Sequence, residues 1–186
     1  MADQVVTMYL AGSIRDGNLE DIKWREDVID ALKGLPVRIL NPLAGKTYED
    51  GKWSVSGVPS QAKFITKHDQ FYVRQADIVL FNFRALTQKY PNIGTLVEYG
   101  WATNNVKPTL VYVIVDPEYK GHESTVMYNL HPFIEQFAAQ VFDTTADAIE
   151  FLKRHIKVIS GRNPSFPAYR RLIDTNLTAA KIESLR

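Results

Sequence analysis

Eight consecutive residues, ADIVLFNF at 76–83, constrain the chain most. The run is apolar, rich in β-branched and aromatic residues, and shows no alternation of polar and apolar positions, so it reads as a strand buried on both faces. Strands of that kind belong to parallel sheets covered by helices on either side. Weaker runs of the same type stand at 5–11 (VVTMYLA), 37–40 (VRIL), 109–115 (TLVYVIV, with Pro108 just ahead) and 140–142. Between them, helical spacing of apolar residues predicts helices over about 19–33, 60–75, 94–105, 125–138 and 145–155, with Gly34 as a stop and Ser60 as an N-cap. Strand and helix repeat five times. Parallel pairing with crossover helices follows, hence a three-layer α/β sandwich around a five-stranded parallel sheet of Rossmann or flavodoxin type. Ligands in such folds sit outside the carboxyl ends of the strands.

A chain of 186 residues suits one domain with a substantial core. We assign that domain to 1–158 and read 159–186, which begins with a Pro-containing stretch and ends in a short amphipathic helix, as an arm that wraps the domain or contacts another subunit. The segment 43–59 (LAGKTYEDGKWSVSGVP) carries four Gly or Pro residues and reads as a long irregular loop beside a strand end.

Composition narrows function by exclusion. Twenty-two Lys and Arg against twenty-one Asp and Glu leave no broad positive field, which disfavours a polynucleotide partner. The absence of cysteine excludes disulfides, thiolate nucleophiles and Cys-based metal sites. The four histidines, His68, His122, His131 and His155, show no metal-ligand spacing, and neither a P-loop nor a Gly-x-Gly-x-x-Gly sequence occurs. No metal and no cofactor are expected. The start MADQVVTMYLAG lacks a basic region and a long apolar stretch, and no segment approaches a membrane span, so a cytoplasmic protein without membrane attachment is the expectation.

Three motifs carry chemistry: Tyr9-Leu-Ala-Gly12 running on into Ser13-Ile14-Arg15, Asp77 ahead of Ile-Val-Leu-Phe, and Gly94-Thr95-Leu-Val-Glu98-Tyr-Gly100-Trp-Ala102. Singly, each has an ordinary reading: a turn, a capping Asp, a solvated helix acid. In this order and spacing they resemble the nucleoside 2-deoxyribosyltransferase family, with its YLAG strand, Asp-preceded strand and GT-x-x-E-x-G-x-A helix, over about 7–142. The resemblance implies that Glu98 is a nucleophile attacking C1′ of the sugar to give a glycosyl-enzyme, and that Asp77 assists the leaving base. An oxocarbenium-like transition state wants an anion on the face opposite the leaving group, as in retaining glycosidases. Tyr9 is placed to orient Glu98. A position near the first turn of its helix would favour the ionised carboxylate.

The substrate side follows the same resemblance. Gly12, Ser13, Arg15, Gly94 and Thr95 would line the substrate, and Asn92 stands where transferases often carry an acid, able to bond a base edge but not to supply a proton. Asn129 matches a residue lent to the neighbouring subunit, which implies a homo-oligomer, although His131 departs from the Met common there. The Ser13–Arg15 loop also suits a phosphate. Beside a transferase acting on a nucleoside and a nucleobase, two readings therefore stay open: an N-glycosidase of nucleoside 5′-monophosphates, and a non-catalytic nucleotide sensor.

Overall fold

The buried run forms a strand over Ile78–Asn82 (β5), and each of its five residues is buried. The computed structural model describes residues 5–14, 19–49, 52–55, 62–83, 92–107, 109–115 and 132–160. Around β5 the element order is β1 (Val6–Gly12), α1 (Leu19–Ala31), β2 (Val37–Leu40), β3 (Lys46–Glu49), β4 (Lys52–Val55), α2 (Ala62–Gln75), then after β5, α3 (Ile93–Thr103), β6 (Leu110–Ile114), α4 (Pro132–Phe137), β7 (Gln140–Phe142) and α5 (Thr145–Ile159). Five strands make one parallel sheet in the order β2-β1-β5-β6-β7. The order reverses direction at the β1/β5 pair, where helices depart to opposite faces and a crevice opens beyond the carboxyl ends of the two strands. Gly12 and Asn82, paired in register, stand at that end.

Alternate side chains of each strand point to opposite faces, which splits the core in two. Met8, Leu10, Ile78, Leu80, Tyr112 and Ile114 pack on Trp24 and Val28 of α1, on Leu32 just past its end, and on Leu152 and Ile156 of α5. Tyr9, Ala11, Val79, Phe81, Val111 and Val113 pack on Val73 of α2, Tyr99 and Ala102 of α3, and Ile134 of α4. The phase of β1 thus sends Tyr9 to the side that carries α3. Helix α5 is held at its start by Thr144, whose side chain accepts from the Asp147 backbone N–H at 3.1 Å.

The structure departs from the sequence reading in one element. The segment expected as irregular loop contains an antiparallel pair, β3 and β4, with Tyr48 opposite Trp53 and Thr47 opposite Ser54. Asp50-Gly51 lies between two short runs of β-forming residues, a hairpin signal that the count of glycines and prolines obscured. The helix expected over 125–138 is described from Pro132, and 116–131 and the arm at 161–186 lie outside the described residues. Among the described residues no helix is long and apolar enough to cross a membrane.

Candidate active site

Helix α3 buries Thr95, Glu98, Tyr99 and Ala102, positions spaced three and four apart on one face. Glu98 is thereby a carboxyl on an inward apolar stripe. It meets Tyr9, whose hydroxyl donates to Glu98 Oε1 at 2.5 Å. Tyr9 is fully buried and Glu98 is 9% exposed. Among the described residues Oε1 alone takes a hydrogen bond, so Oε2 keeps its lone pairs for an electrophile.

A second cluster adjoins the first. Asp69 lies on α2 in register with the apolar positions Ile65, Tyr72, Val73 and Ala76, which turns it toward the sheet. Lys46 Nζ stands 3.4 Å from Asp69 Oδ1, and His68 Nδ1 3.1 Å from the same oxygen. The Lys46 side chain is only 2% exposed. A turn delivers it: Gly45 takes a positive φ of 73°, and the Lys46 N–H closes on the Leu43 carbonyl at 3.0 Å. Tyr72 bridges the clusters, its ring edge-on to Tyr9 with centroids 6.2 Å apart and tilted on His68 at 4.1 Å.

Arg25 braces the end of β1. Its guanidinium is wholly buried and donates to the carbonyls of Gly12 at 2.8 Å and Ser13 at 3.0 Å, with Nε 3.4 Å from the Leu10 carbonyl. Trp24 lies beneath it, 4.7 Å from ring centroid to guanidinium carbon. The same crowding explains Gly12, since a Cβ there would stand 3.1 Å from Trp24 Cζ2 and 3.2 Å from the Asn82 carbonyl. The need for glycine is therefore met by packing, without a ligand.

Burial sets the charge state of Glu98. Removal from water pushes its carboxyl up to about 7, against the opposing Tyr9 hydrogen bond; Asp69 adds to the rise, while Arg25 and Lys46 oppose it. This corrects the expectation that the helix start keeps Glu98 ionised. With α3 beginning at Ile93, Glu98 is its sixth residue, beyond the turn in which unpaired N–H groups act. Burial also raises the Tyr9 hydroxyl well above its usual range, so Tyr9 serves as a neutral donor.

The structure does not bring Asp77 to this cluster. Asp77 precedes β5 and accepts from the Thr7 N–H at 2.8 Å, while Lys107 Nζ lies 2.7 Å from its other oxygen. It is five residues before Asn82 along the strand, about 16 Å from the carboxyl end at ~3.3 Å per residue. An acid that opens a parallel strand must lie at the sheet's amino edge, and this one ties β1 to the turn before β6. The acid beside Glu98 is Asp69 on α2, the helix that leads into β5, and the sequence reading gave it no role. Lys46 and Arg25 were missed altogether.

The remaining residues divide. Ser13 is buried at the crevice end of β1, and Thr95 is buried on α3. Asn92 is the N-cap of α3, makes no side-chain capping bond, and among the described residues its buried Nδ2 has no partner. Among the described residues nothing would lie within 4 Å of a Cβ on Gly94. Arg15 and Asn129 lie outside the described residues. Among the described residues no group of three or more His, Asp or Glu could hold a metal ion.

Known structures share this fold. A conserved protein from Enterococcus faecalis V583 superposes with a TM-score of 0.59 at 14% identity, over 81% of this chain and 99% of the other. A 2-desoxiribosyltransferase from Leishmania mexicana gives 0.56 at 20% identity, over 81% and 98%. A 2-deoxyribosyltransferase from Bacillus psychrosaccharolyticus gives 0.56 at 18% identity, over 81% and 96%. At these identities the likeness is one of fold. No curated protein sequence is a significant match. The family model described as "Nucleoside 2-deoxyribosyltransferase like" matches residues 5–118, more than half of the sequence and every segment that builds the Tyr9–Glu98 pair, and the chain belongs to that family.

Proposed function

We propose that this protein is a nucleoside 2-deoxyribosyltransferase that breaks the N-glycosidic bond of a 2′-deoxynucleoside and passes the sugar to a second nucleobase through a glycosyl-Glu98 intermediate. The observation that carries the reading is the buried Tyr9–Glu98 pair beside the strand-order reversal. Tyr9 holds Oε1, and Oε2 attacks C1′ as the bond to the base nitrogen breaks; the electron pair of that bond leaves with the base. An incoming base then attacks C1′ from the vacated side, loses its N–H proton to solvent, and returns Glu98 as a carboxylate. Two displacements retain the configuration at C1′. Burial suits the first step, because a carboxylate stripped of water is a stronger nucleophile and pairs closely with the cationic sugar.

Supporting groups fall into place around this chemistry. Arg25 fixes the end of β1, and Asn92 offers an unpaired amide donor to a base edge. Within the same reading residues 1–158 form the catalytic domain, Arg15 lies on the loop at the sugar's 5′ side, and Asn129 serves a neighbouring subunit, so the working unit is at least a dimer. Incubating 2′-deoxynucleosides with a labelled second base tests the function. Label appearing in nucleoside is the expected result; base release confined to 5′-monophosphates, without exchange, would replace the transferase with a hydrolase.

A further inference from the structure

The scheme above leaves one charge without a cation to meet it: the departing base takes both electrons of the C1′–N bond, Asn92 offers its edge only a neutral donor, and neither Tyr9 nor Glu98 can stabilise it. Building on the glycosyl-transfer reading, we propose that Lys46 is the group that stabilises the leaving base, donating to a carbonyl oxygen of a keto-bearing nucleobase.

Three observations carry this. First, the Lys46 side chain is 2% exposed, and burying an ammonium is costly unless it is well paired. An ammonium carries three donors. Among the described residues its side chain has one acceptor, Asp69 Oδ1 at 3.4 Å, well beyond the roughly 2.7–2.9 Å of a strong charge-assisted bond. A lysine kept only to neutralise Asp69 would close that gap. Second, the left-handed Gly45 and the Lys46 N–H to Leu43 bond fix the backbone at the first residue of β3, and the contact with Asp69 holds the ammonium beside α2. Third, the ammonium belongs to the same electrostatic cluster as the nucleophile, for Glu98 feels both Lys46 and Asp69, and Tyr9 feels Asp69.

Chemistry then fixes what the cation serves. The sugar becomes positive in the transition state, so an ammonium beside C1′ would oppose the reaction. Negative charge develops only on the base, where in uracil or hypoxanthine it spreads to carbonyl oxygens. The step balances without a further reactant: Glu98 Oε2 bonds to C1′, the C1′–N bond breaks, its electron pair goes to the base, and a Lys46 N–H bonds to the base oxygen that gains charge. The released anion takes a proton from water.

The test compares base release from 2′-deoxyuridine and 5-fluoro-2′-deoxyuridine, whose fluorinated base is the more stable anion and needs less help. In Lys46→Gln, kcat/KM for 2′-deoxyuridine is expected to fall about 100-fold, the scale of losing one preorganised donor, and for the fluoro compound by less than about tenfold. Equal losses on both substrates would overturn the role, since a packing defect does not discriminate between leaving groups. If Lys46→Gln does not fold, Lys46→Arg gives the same reading, with a smaller fall that is again larger for 2′-deoxyuridine; an equal fall overturns it. A wild type that releases only adenine overturns the role of Lys46 while leaving glycosyl transfer intact. A wild type inert toward every deoxynucleoside removes both.

Discussion

Tyr9 on β1 and Glu98 on α3, eighty-nine residues apart in the chain, share a hydrogen bond of 2.5 Å in the interior. The bond favours the carboxylate over the acid and leaves one carboxylate oxygen for the substrate. Tyr9→Phe removes it. A hydrogen bond to a charged group contributes about 1.5–3 kcal/mol, so kcat/KM at neutral pH should fall about ten- to a hundredfold, with the acid limb of the pH profile moved upward. An unshifted limb would mean that Tyr9 does not act through Glu98.

The pH profile of the wild type follows from the same carboxyl. Glu98 must ionise to attack, and burial has pushed it up to about 7. Plotted against pH, kcat/KM for base release should rise about tenfold per unit below that value and level off above it. A limb in the ordinary carboxylate range, near 4.5, would show that the buried acid is not the nucleophile.

Stability should move the other way. The carboxyl is raised in the folded state, so the stability tied to its protonated form is fully present below the unfolded value of 4.5 and is lost as pH rises through about 7. Glu98→Gln cannot ionise and avoids that loss. Urea denaturation should find Glu98→Gln more stable than wild type by about 3 kcal/mol at pH 8 and no more stable at pH 4.5. Equal stabilities at pH 8 would show that Glu98 ionises at little cost.

Asp77 offers a contrasting case. Because it bonds the Thr7 N–H and Lys107 at the amino edge of the sheet, Asp77→Asn should leave kcat/KM within about twofold, the asparagine oxygen still accepting from Thr7. The partly exposed ion pair contributes at most about 1 kcal/mol, and thermal denaturation should register no more than that. A hundredfold loss of activity would return Asp77 to the chemistry.

Much of this molecule could be read before its structure. β5 and β6 declared themselves by their apolar runs, and the Gly94-Thr95-Leu-Val-Glu98 motif put Glu98 on α3. Placing Asp77 in the site was the costliest misreading, since a residue before a parallel strand belongs at the edge opposite the crevice. The signals for the missed residues were present in two cases. Asp69 stands in the apolar stripe of α2 with Ile65, Tyr72 and Val73, and Arg25 in that of α1 with Val28 and Ile29, charges where helical periodicity calls for carbon. Lys46 gave no such signal, because its position depends on a turn and a hairpin whose geometry has no period. Nor does a helical position reveal desolvation, so the direction in which its surroundings shift Glu98 was read with the wrong sign.

The most direct measurement is intact-protein and peptide mass spectrometry after rapid acid quench of the enzyme with a 2′-deoxynucleoside and no acceptor base. A mass gain of one deoxyribosyl unit, mapped to the peptide containing Glu98 and absent from Glu98→Ala, is the expected result. Turnover without any adduct, with Glu98→Ala as active as wild type, would contradict covalent glycosyl transfer through Glu98.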